Sequence, residues 1–459
     1  MISSLPTIAK AAEQIRAGEI SPLDLVEFCL SRIERYEDRI HAWVMVDAEG
    51  AREEAKRQAE TLSEGIDPGP LAGIPIGIKD IIDVIGWPTK AGSPLREGHV
   101  AEADAPIVRD LRAAGAIILG KTVTTQFACF DPSPTRNPWN LKHTPGGSSS
   151  GSAAAVALEM CMAAIGTQTG GSIIRPASYC GVAGLKPTFG HVSLDGVVPV
   201  SKQLDHAGPI ARRVNDLLAV YAAIEDRIAR LNSGASDGSL RTEGIQRFGF
   251  KNLGSEPQPR RFHLIESYFM EHAEPGVAAS TRKALKILQD AWSEEQTVTL
   301  PPSFDEVHAN HYRIMSHDAA ENHRREYAAS PEAYGPNISS LLDAGHDTSP
   351  KDYEAALEHQ RRFQADAEQM LSTGAIAVMP STNTTAPASL DTTGDPRFNS
   401  PWSYAGVPSV TIPCGLASDG MPCGLQLVGP RNSEARLLQA AAWCEERIGF
   451  QNHPSLLDE

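Results

Sequence analysis

Positive charge is scarce in this chain: 41 Lys and Arg stand against 57 Asp and Glu, a net charge of −16, and no basic run offsets the deficit. Such a surface repels phosphate backbones and anionic bilayers on average, so neither nucleic acid nor a membrane is an expected partner. Long apolar runs are missing as well. Nowhere do about 18 apolar residues follow one another, and the opening MISSLPTIAK has no charged segment leading into an apolar one, so neither a spanning helix nor an export signal is expected. The seven cysteines are odd in number and contain no C-x-x-C pair. That pattern predicts buried free thiols and a reducing, cytoplasmic setting. Aromatics make up only 6% of the chain, which still leaves enough rings to line a pocket. No internal repeat or low-complexity tract occurs.

Against these absences stands enough apolar sequence, 41% of 459 residues, to bury a large core. Length alone would divide into units of ~150 residues, yet one α/β domain also reaches this size when a single sheet collects many helices. The order of patterns favours a single domain over 1–459. Residues 1–65 read as helices laid on the core, 66–230 as the catalytic α/β region, 231–370 as a helical and α/β insertion shaping a cleft, and 371–459 as closing strands and a helix.

From Thr7 to about Ser63 apolar positions recur at helical spacing, with Leu23, Val26, Leu30 and Ile33 on one face, Ser21 as cap and Pro22 in the first turn. Two or three helices are expected there. GPLAGIPIGIKDIIDV changes the period to two, placing Ile74, Ile76 and Ile78 on one face and Pro75, Gly77 and Lys79 on the other. ADAPIVRDLRAAG reads as an amphipathic helix ended by Gly115, and AIILGKT as a short apolar strand. Helix returns from about Arg212 to Ile228, and a polar stretch near Asn232 to Arg260 reads as a linker or surface loop. RRFHLIESY and VAASTRKALKILQDAW form a further α/β unit before helical sequence to about Leu371. AIAVMPS, PSVTIPCG and CGLQLVG are expected strands, and SEARLLQAAAWCEERI is the last helix.

The stretch from Pro145 to Pro187 is rich in Gly, Ser and Ala and holds PGGSSSGS and TGGS, with Ser148 and Ser172 separated by 24 positions. A helix of about ten residues from Ser152 advances roughly 15 Å. A strand MCMAAI returns by a similar length, so the loop before the helix and the loop after the strand meet. Glycine lets a backbone bring its N–H groups close to a reacting atom, so the donors of Thr169, Gly170, Gly171 and Ser172 could surround a developing oxyanion. Read alone, the loop is also a tight turn without chemistry. A serine hydroxyl is a poor nucleophile until a base removes its proton, and Ser–Lys pairs are one solution. Lys79 ends an apolar strand, where burial would lower its pKa from about 10.4; a lone strand lysine is also commonly solvated.

Taken together, LAGIPIGIKD, ADAPIVRDLRAAGAIILGKT, NPWN with HTPGGSSSGSAAAVA, GTQTGGSIIRPASYCGVAGLKPTFG, LDHAGPIARRV, AGVPSVTIPCG and GLQLVGP resemble the amidase signature family over nearly the whole chain. The resemblance implies a mixed central β-sheet covered by helices on both faces. It also implies a catalytic set of Lys79 as base, Ser148 as proton relay and Ser172 as nucleophile, with the Gly147–Ser148 bond cis, an acyl-enzyme that water hydrolyses, and no cofactor or metal. The chain departs from the commonest pattern in three places. Gln168 stands where many members have Asp, the arginine of GGSIRxP is displaced to Arg175, and Gln126 replaces a frequent glutamate. These differences put a salt bridge bracing the loop in question and set the chain apart from the glutamyl-tRNA amidotransferase subunit.

Three rival readings are worth keeping in view. GSSSG at Gly147 to Gly151 matches a nucleophile elbow centred on Ser149, although RNPWNLKHTP before it reads as loop rather than strand. His308, His311, His317 and His323 with Asp318 and Glu321 form no metal-binding pattern, since only His308 and His311 share a helical face. A non-catalytic scaffold would have no need of Lys79, Ser148 and Ser172. The expected function is therefore an amidase acting on small or aryl amides, with carbamates (urethanes) and esters as further substrates. A urea-type or amidotransferase-related enzyme is the alternative. The substrate pocket is expected around Thr125, Gln126, Phe127, Gly147, Gln168, Arg175, Thr384 and Trp402, with the Tyr312 to Tyr334 region beside it. A small molecule is the expected partner of a monomer or homodimer.

Overall fold

A computed structural model describes residues 2, 4–225, 262–289, 295–372 and 375–459. The linker read near Asn232 to Arg260 and the last residues of the helix expected to reach Ile228 lie outside the described residues.

The strands in chain order are β1 (Trp43–Val46), β2 (Pro75–Lys79), β3 (Ile117–Thr122), β4 (Ala163–Gln168), β5 (Ala183–Lys186), β6 (His206–Ala211), β7 (Phe262–Leu264), β8 (Glu295–Thr297), β9 (Ile376–Pro380), β10 (Ser409–Leu416) and β11 (Pro422–Val428). They join one mixed sheet in the order β1-β3-β2-β4-β6-β5-β10-β11-β9-β7-β8. β2 runs parallel to β3 and β4, whereas the neighbours from β4 through β6, β5, β10 and β11 to β9 are antiparallel. Strands β2 to β6 are buried at every residue, a condition that requires cover on both faces of the sheet.

The helix Pro22–Ile40 starts as its sequence dictates, with Ser21 and Asp24 forming a capping box and Pro22 in the first turn. The helix Pro106–Ala113 gives way at Gly115, whose φ of +90° no β-carbon would tolerate beside Ala72. Between the helices of the N-terminal segment lies β1, an edge strand antiparallel to β3. This corrects the all-helical reading of Thr7 to Ser63: WVMV is too short for its period to show, and pairing with β3 decides its conformation. β4 also begins at Ala163, three residues later than MCMAAI suggests, so it runs directly into TGGS.

The helix Ser150–Ala157 is shorter than expected, yet the two serine loops do meet, with the Ser149 N–H donating to Ser172 O at 3.3 Å. In the 231–370 segment, β7 pairs with β9 and β8 with β7, so these strands extend the same sheet. The helix Val307–Ala329 packs on Pro336–His346 and Pro350–Leu371 and carries side chains toward the serine loops. All seven cysteines are free and buried. No helix among the described residues is long and apolar enough to cross a membrane.

Candidate active site

Lys79 is the last residue of β2, in the sheet interior, and its side chain is fully buried. Its Nζ lies 2.6 Å from Ser148 Oγ and 2.8 Å from Thr167 Oγ1. No carboxylate among the described residues forms an ion pair with it; Asp80, the next residue, pairs instead with Lys121 at 3.0 Å. Burial therefore dominates and pushes the Lys79 amine down to about 7, with the more distant Asp205 carboxylate opposing it.

Ser148 follows a cis peptide bond from Gly147. Its loop is tied down by Ser150 Oγ donating to Gly146 O at 2.8 Å and by Arg175 Nη2 donating to Gly147 O at 2.7 Å. Ser148 and the partly exposed Ser172 line the same cavity of about 400 Å³.

The TGGS loop forms another wall. Its carbonyls are each taken by a donor: Thr169 O by His311 Nε2 at 3.0 Å, Gly170 O by Ser403 Oγ at 2.8 Å, and Gly171 O by the Arg175 N–H at 2.9 Å. The N–H groups of Gly170, Gly171 and Ser172 donate to no described residue. Thr169 Oγ1 donates to Asp205 Oδ1 at 2.5 Å, and the other oxygen of Asp205 accepts from the N–H groups of Val200 and Ser201. Burial raises this carboxyl to about 6 although all three hydrogen bonds pull it down.

The family described as Amidase matches residues 24–438. The chain is 34% identical to a glutamyl-tRNA(Gln) amidotransferase subunit, the one designated A, of Roseiflexus castenholzii, over 94% of each chain. Native peptide amidase from Stenotrophomonas maltophilia superposes with a TM-score of 0.84 at 30% identity, over 98% of both chains. A chain of a vestigial complex that bears on the evolutionary origins of an s-triazine catabolic enzyme superposes at 0.87 and 28% identity, covering 98% of this chain and 100% of that one. This chain belongs to the amidase signature family.

Within this member of the family the departures from the common motif have visible consequences. Gln168 Oε1 accepts from the N–H groups of Ile173 and Ile174 at 2.9 and 3.0 Å, while its Nε2 donates to Ser403 Oγ at 3.1 Å. A neutral amide thus braces the loop and satisfies the start of the helix Ile174–Tyr179. Arg175 lies on the cavity wall, 2% exposed, and its Nε and Nη1 have no hydrogen-bond partner among the described residues. Gln126 spans two segments, donating to Ala333 O at 2.7 Å and accepting from the Gly335 N–H at 2.7 Å.

Of the eight residues expected around the substrate, Arg175 alone lines this cavity. Thr125 is buried behind Gly147, where a β-carbon would sit 3.1 Å from the threonine methyl. Phe127 packs between His323 and Tyr334, Gln126 and Gln168 act as the braces just described, and Gly147 offers its carbonyl to Arg175. Thr384 bonds to Thr385 O, and Trp402 is fully buried, stacked on Phe269 at 5.8 Å. Their neighbours reach the cavity instead: Cys129 and Phe130, Thr393, Asp395, Arg397 and Ser400, together with Tyr268, His308 and His311; Tyr312, at the start of the expected Tyr312 to Tyr334 region, lines it as well. Tyr268 and His311 had no motif to announce them.

Ser149 is fully buried, its Oγ 3.3 Å from both O and N of Thr167, and it does not line the cavity. The four histidines do not converge, since His317 stacks on Tyr353 and His323 meets Phe127 edge-on at 4.4 Å. Among the described residues, His191, Glu225 and Glu434 do bring ligand atoms within 4.8 Å of one another. Burial disfavours charge on His191, but hydrogen bonds to the two glutamates outweigh it and push the ring up to about 10. The imidazolium is itself the cation of that cluster, which stands apart from the cavity.

Proposed function

We propose that the chain hydrolyses the C–N acyl bond of small or aryl amides, with aryl carbamates and esters as further substrates, through an acyl-enzyme on Ser172. The observation that carries this reading is the 2.6 Å contact between an unpaired, buried Lys79 Nζ and Ser148 Oγ. Neutral Lys79 accepts the Ser148 proton while Ser148 accepts that of Ser172, whose oxygen attacks the carbonyl. The resulting oxyanion is met by the free N–H groups of Gly170, Gly171 and Ser172, which are stronger partners for a localised charge than for a neutral carbonyl. Collapse breaks the C–N bond, and the departing amine takes the proton back through Ser148. Water then attacks the acyl group by the same relay, returning Ser172.

The cavity wall supports a flat substituent. Tyr268 and His308 stack with ring centroids 5.4 Å apart, their polar ends joined by a 2.7 Å hydrogen bond, and Phe130 and Tyr312 line the same cavity. The unmatched N–H groups of Arg175 support an acceptor group on the substrate as well. A second reading, an amidotransferase-type component, is favoured by the full-length similarity to the glutamyl-tRNA(Gln) amidotransferase chain of Roseiflexus castenholzii. Turnover of an anilide, a primary amide, a p-nitrophenyl ester and an aryl carbamate, with fluorophosphonate labelling lost in Ser172→Ala, tests the first reading. Release of ammonia from the primary amide with no turnover of the other three would favour the second.

A further inference from the structure

A peptide unit is planar and trans, so its C=O and the following N–H point in opposite directions. Any donor that fixes a carbonyl therefore also aims the next N–H. Along TGGS this rule acts on successive units. The Thr169 carbonyl is held by His311 Nε2 at 3.0 Å and the Gly170 carbonyl by Ser403 Oγ at 2.8 Å. Each contact comes from a different part of the chain, 142 and 233 residues away.

We infer that His311 and Ser403 are positioning residues that aim the N–H groups of Gly170 and Gly171 at the oxyanion. The inference rests on the acyl-enzyme chemistry proposed above. A carbonyl can only accept, so His311 Nε2 carries the hydrogen in the neutral ring. The ring is 4% exposed and borders both the loop and the cavity. Gly170 lies under it, because a β-carbon there would stand 3.6 Å from His311 Cε1. Glycines offer little torsional resistance of their own, so a loop holding two in succession depends on outside contacts for its orientation. Ser403 is in turn fixed by Gln168 Nε2 at 3.1 Å, and Gln168 also receives the first N–H groups of the helix that follows Ser172. His311 belongs to the helix Val307–Ala329, outside the motif-bearing core. That helix accordingly acts on turnover without its histidine entering the proton relay.

The test compares His311→Phe and His311→Gln in the full chain, using a p-nitrophenyl ester and an anilide. Glutamine can place its amide nitrogen near the position of Nε2, while phenylalanine keeps the ring volume and loses the donor. Losing control of one oxyanion donor should lower kcat by about 10- to 100-fold. The expected result is that fall for His311→Phe with KM changed less than threefold, and recovery of most of kcat by His311→Gln. A purely space-filling role predicts the reverse order. The inference is overturned if His311→Phe retains kcat within threefold of wild type, or if both variants lose it alike while folded. Should either variant not fold, Ser403→Ala gives the same reading: a kcat fall with steady KM supports the idea, and unchanged kcat overturns it. Wild-type protein that turns over neither probe and is not labelled at Ser172 would instead remove the amidase reading itself.

Discussion

Lys79 Nζ and Ser148 Oγ lie 2.6 Å apart, and no described carboxylate forms an ion pair with the lysine. A paired lysine would keep its proton. This one, governed by burial, is held at about 7. Only the neutral amine can act as base, so kcat/KM should rise with pH through about 7 and fall about tenfold per unit well below it. The same shift affects stability. The unfolded group titrates near the ordinary lysine value of 10.5 and the folded one near 7, so between these values the unfolded chain binds more protons and stability rises with pH. Buried Lys186, also near 7, adds a contribution of the same sign. Lys79→Met should abolish turnover and flatten part of that rise. A pH–rate profile with no inflection in the range of about 6 to 8 would contradict the assignment.

Gln168 closes three contacts that a charged residue usually found at its position would make differently. Gln168→Leu should strand the buried N–H groups of Ile173 and Ile174, at a cost of about 1–3 kcal/mol for each donor left unmatched. Denaturant unfolding should show the loss. Because Ser403 also loses its partner, kcat should fall alongside stability, whereas a drop in stability with kcat unchanged would show that the loop holds its shape without the brace.

The residues legible in the sequence were those whose roles depend on neighbours in the chain. Lys79 on an alternating strand, Ser148 and Ser172 in glycine loops, and the meeting of those loops through a short helix and a returning strand all follow from local pattern and length. His311, Ser403 and Asp205 were not legible, because each reaches TGGS from a distant segment and no spacing connects them. For the pocket, pattern points to several segments that border the cavity but seldom to the residue that faces it, and the segment around Thr384 does not border it. In RFNSPWSY, Ser400 borders the cavity while Trp402 turns into the Phe269 stack, a choice made by packing rather than by any periodicity in five helical residues.

Arg175 keeps one nitrogen on Gly147 O and leaves Nε and Nη1 without partners among the described residues. Asp395 lines the same cavity and acts on the guanidinium electrostatically, yet among the described residues this buried group forms no ion pair, so it gains from a substrate that brings an anion. Arg175→Met should therefore raise KM for a carboxylate-bearing anilide by roughly tenfold more than for its neutral analogue. Equal losses on both substrates would mean that the arginine serves only to hold Gly147.

Ser149 should prove dispensable as a nucleophile. Its hydroxyl is sealed beneath the loop against Thr167, whose own hydroxyl accepts from Lys79. Ser149→Ala should keep fluorophosphonate labelling and lose less than about tenfold in kcat, the scale of one neutral hydrogen bond supporting a neighbour. Loss of labelling in a folded Ser149→Ala sample would revive the elbow.

Gly170 and Gly171 are adjacent, and the structure separates their tolerance. A β-carbon on Gly170 would find its nearest neighbours, His311 and Pro396, at 3.6 Å, an ordinary contact. On Gly171 it would meet Asn399 Oδ1 at 2.6 Å. Asn399 cannot easily withdraw, because it is fully buried and its Nδ2 donates to Ser381 O at 2.8 Å and Gln426 Oε1 at 3.1 Å. Gly171→Ala must shift the loop or the asparagine, costing about 1–3 kcal/mol and displacing the N–H groups proposed to meet the oxyanion. Gly170→Ala should stay within a few-fold of wild type in kcat while Gly171→Ala loses at least tenfold, a contrast in the range expected for one misplaced oxyanion donor. Steady-state kinetics of the two variants checks it, and equal sensitivity would mean that flexibility of the loop, rather than the space above it, decides turnover.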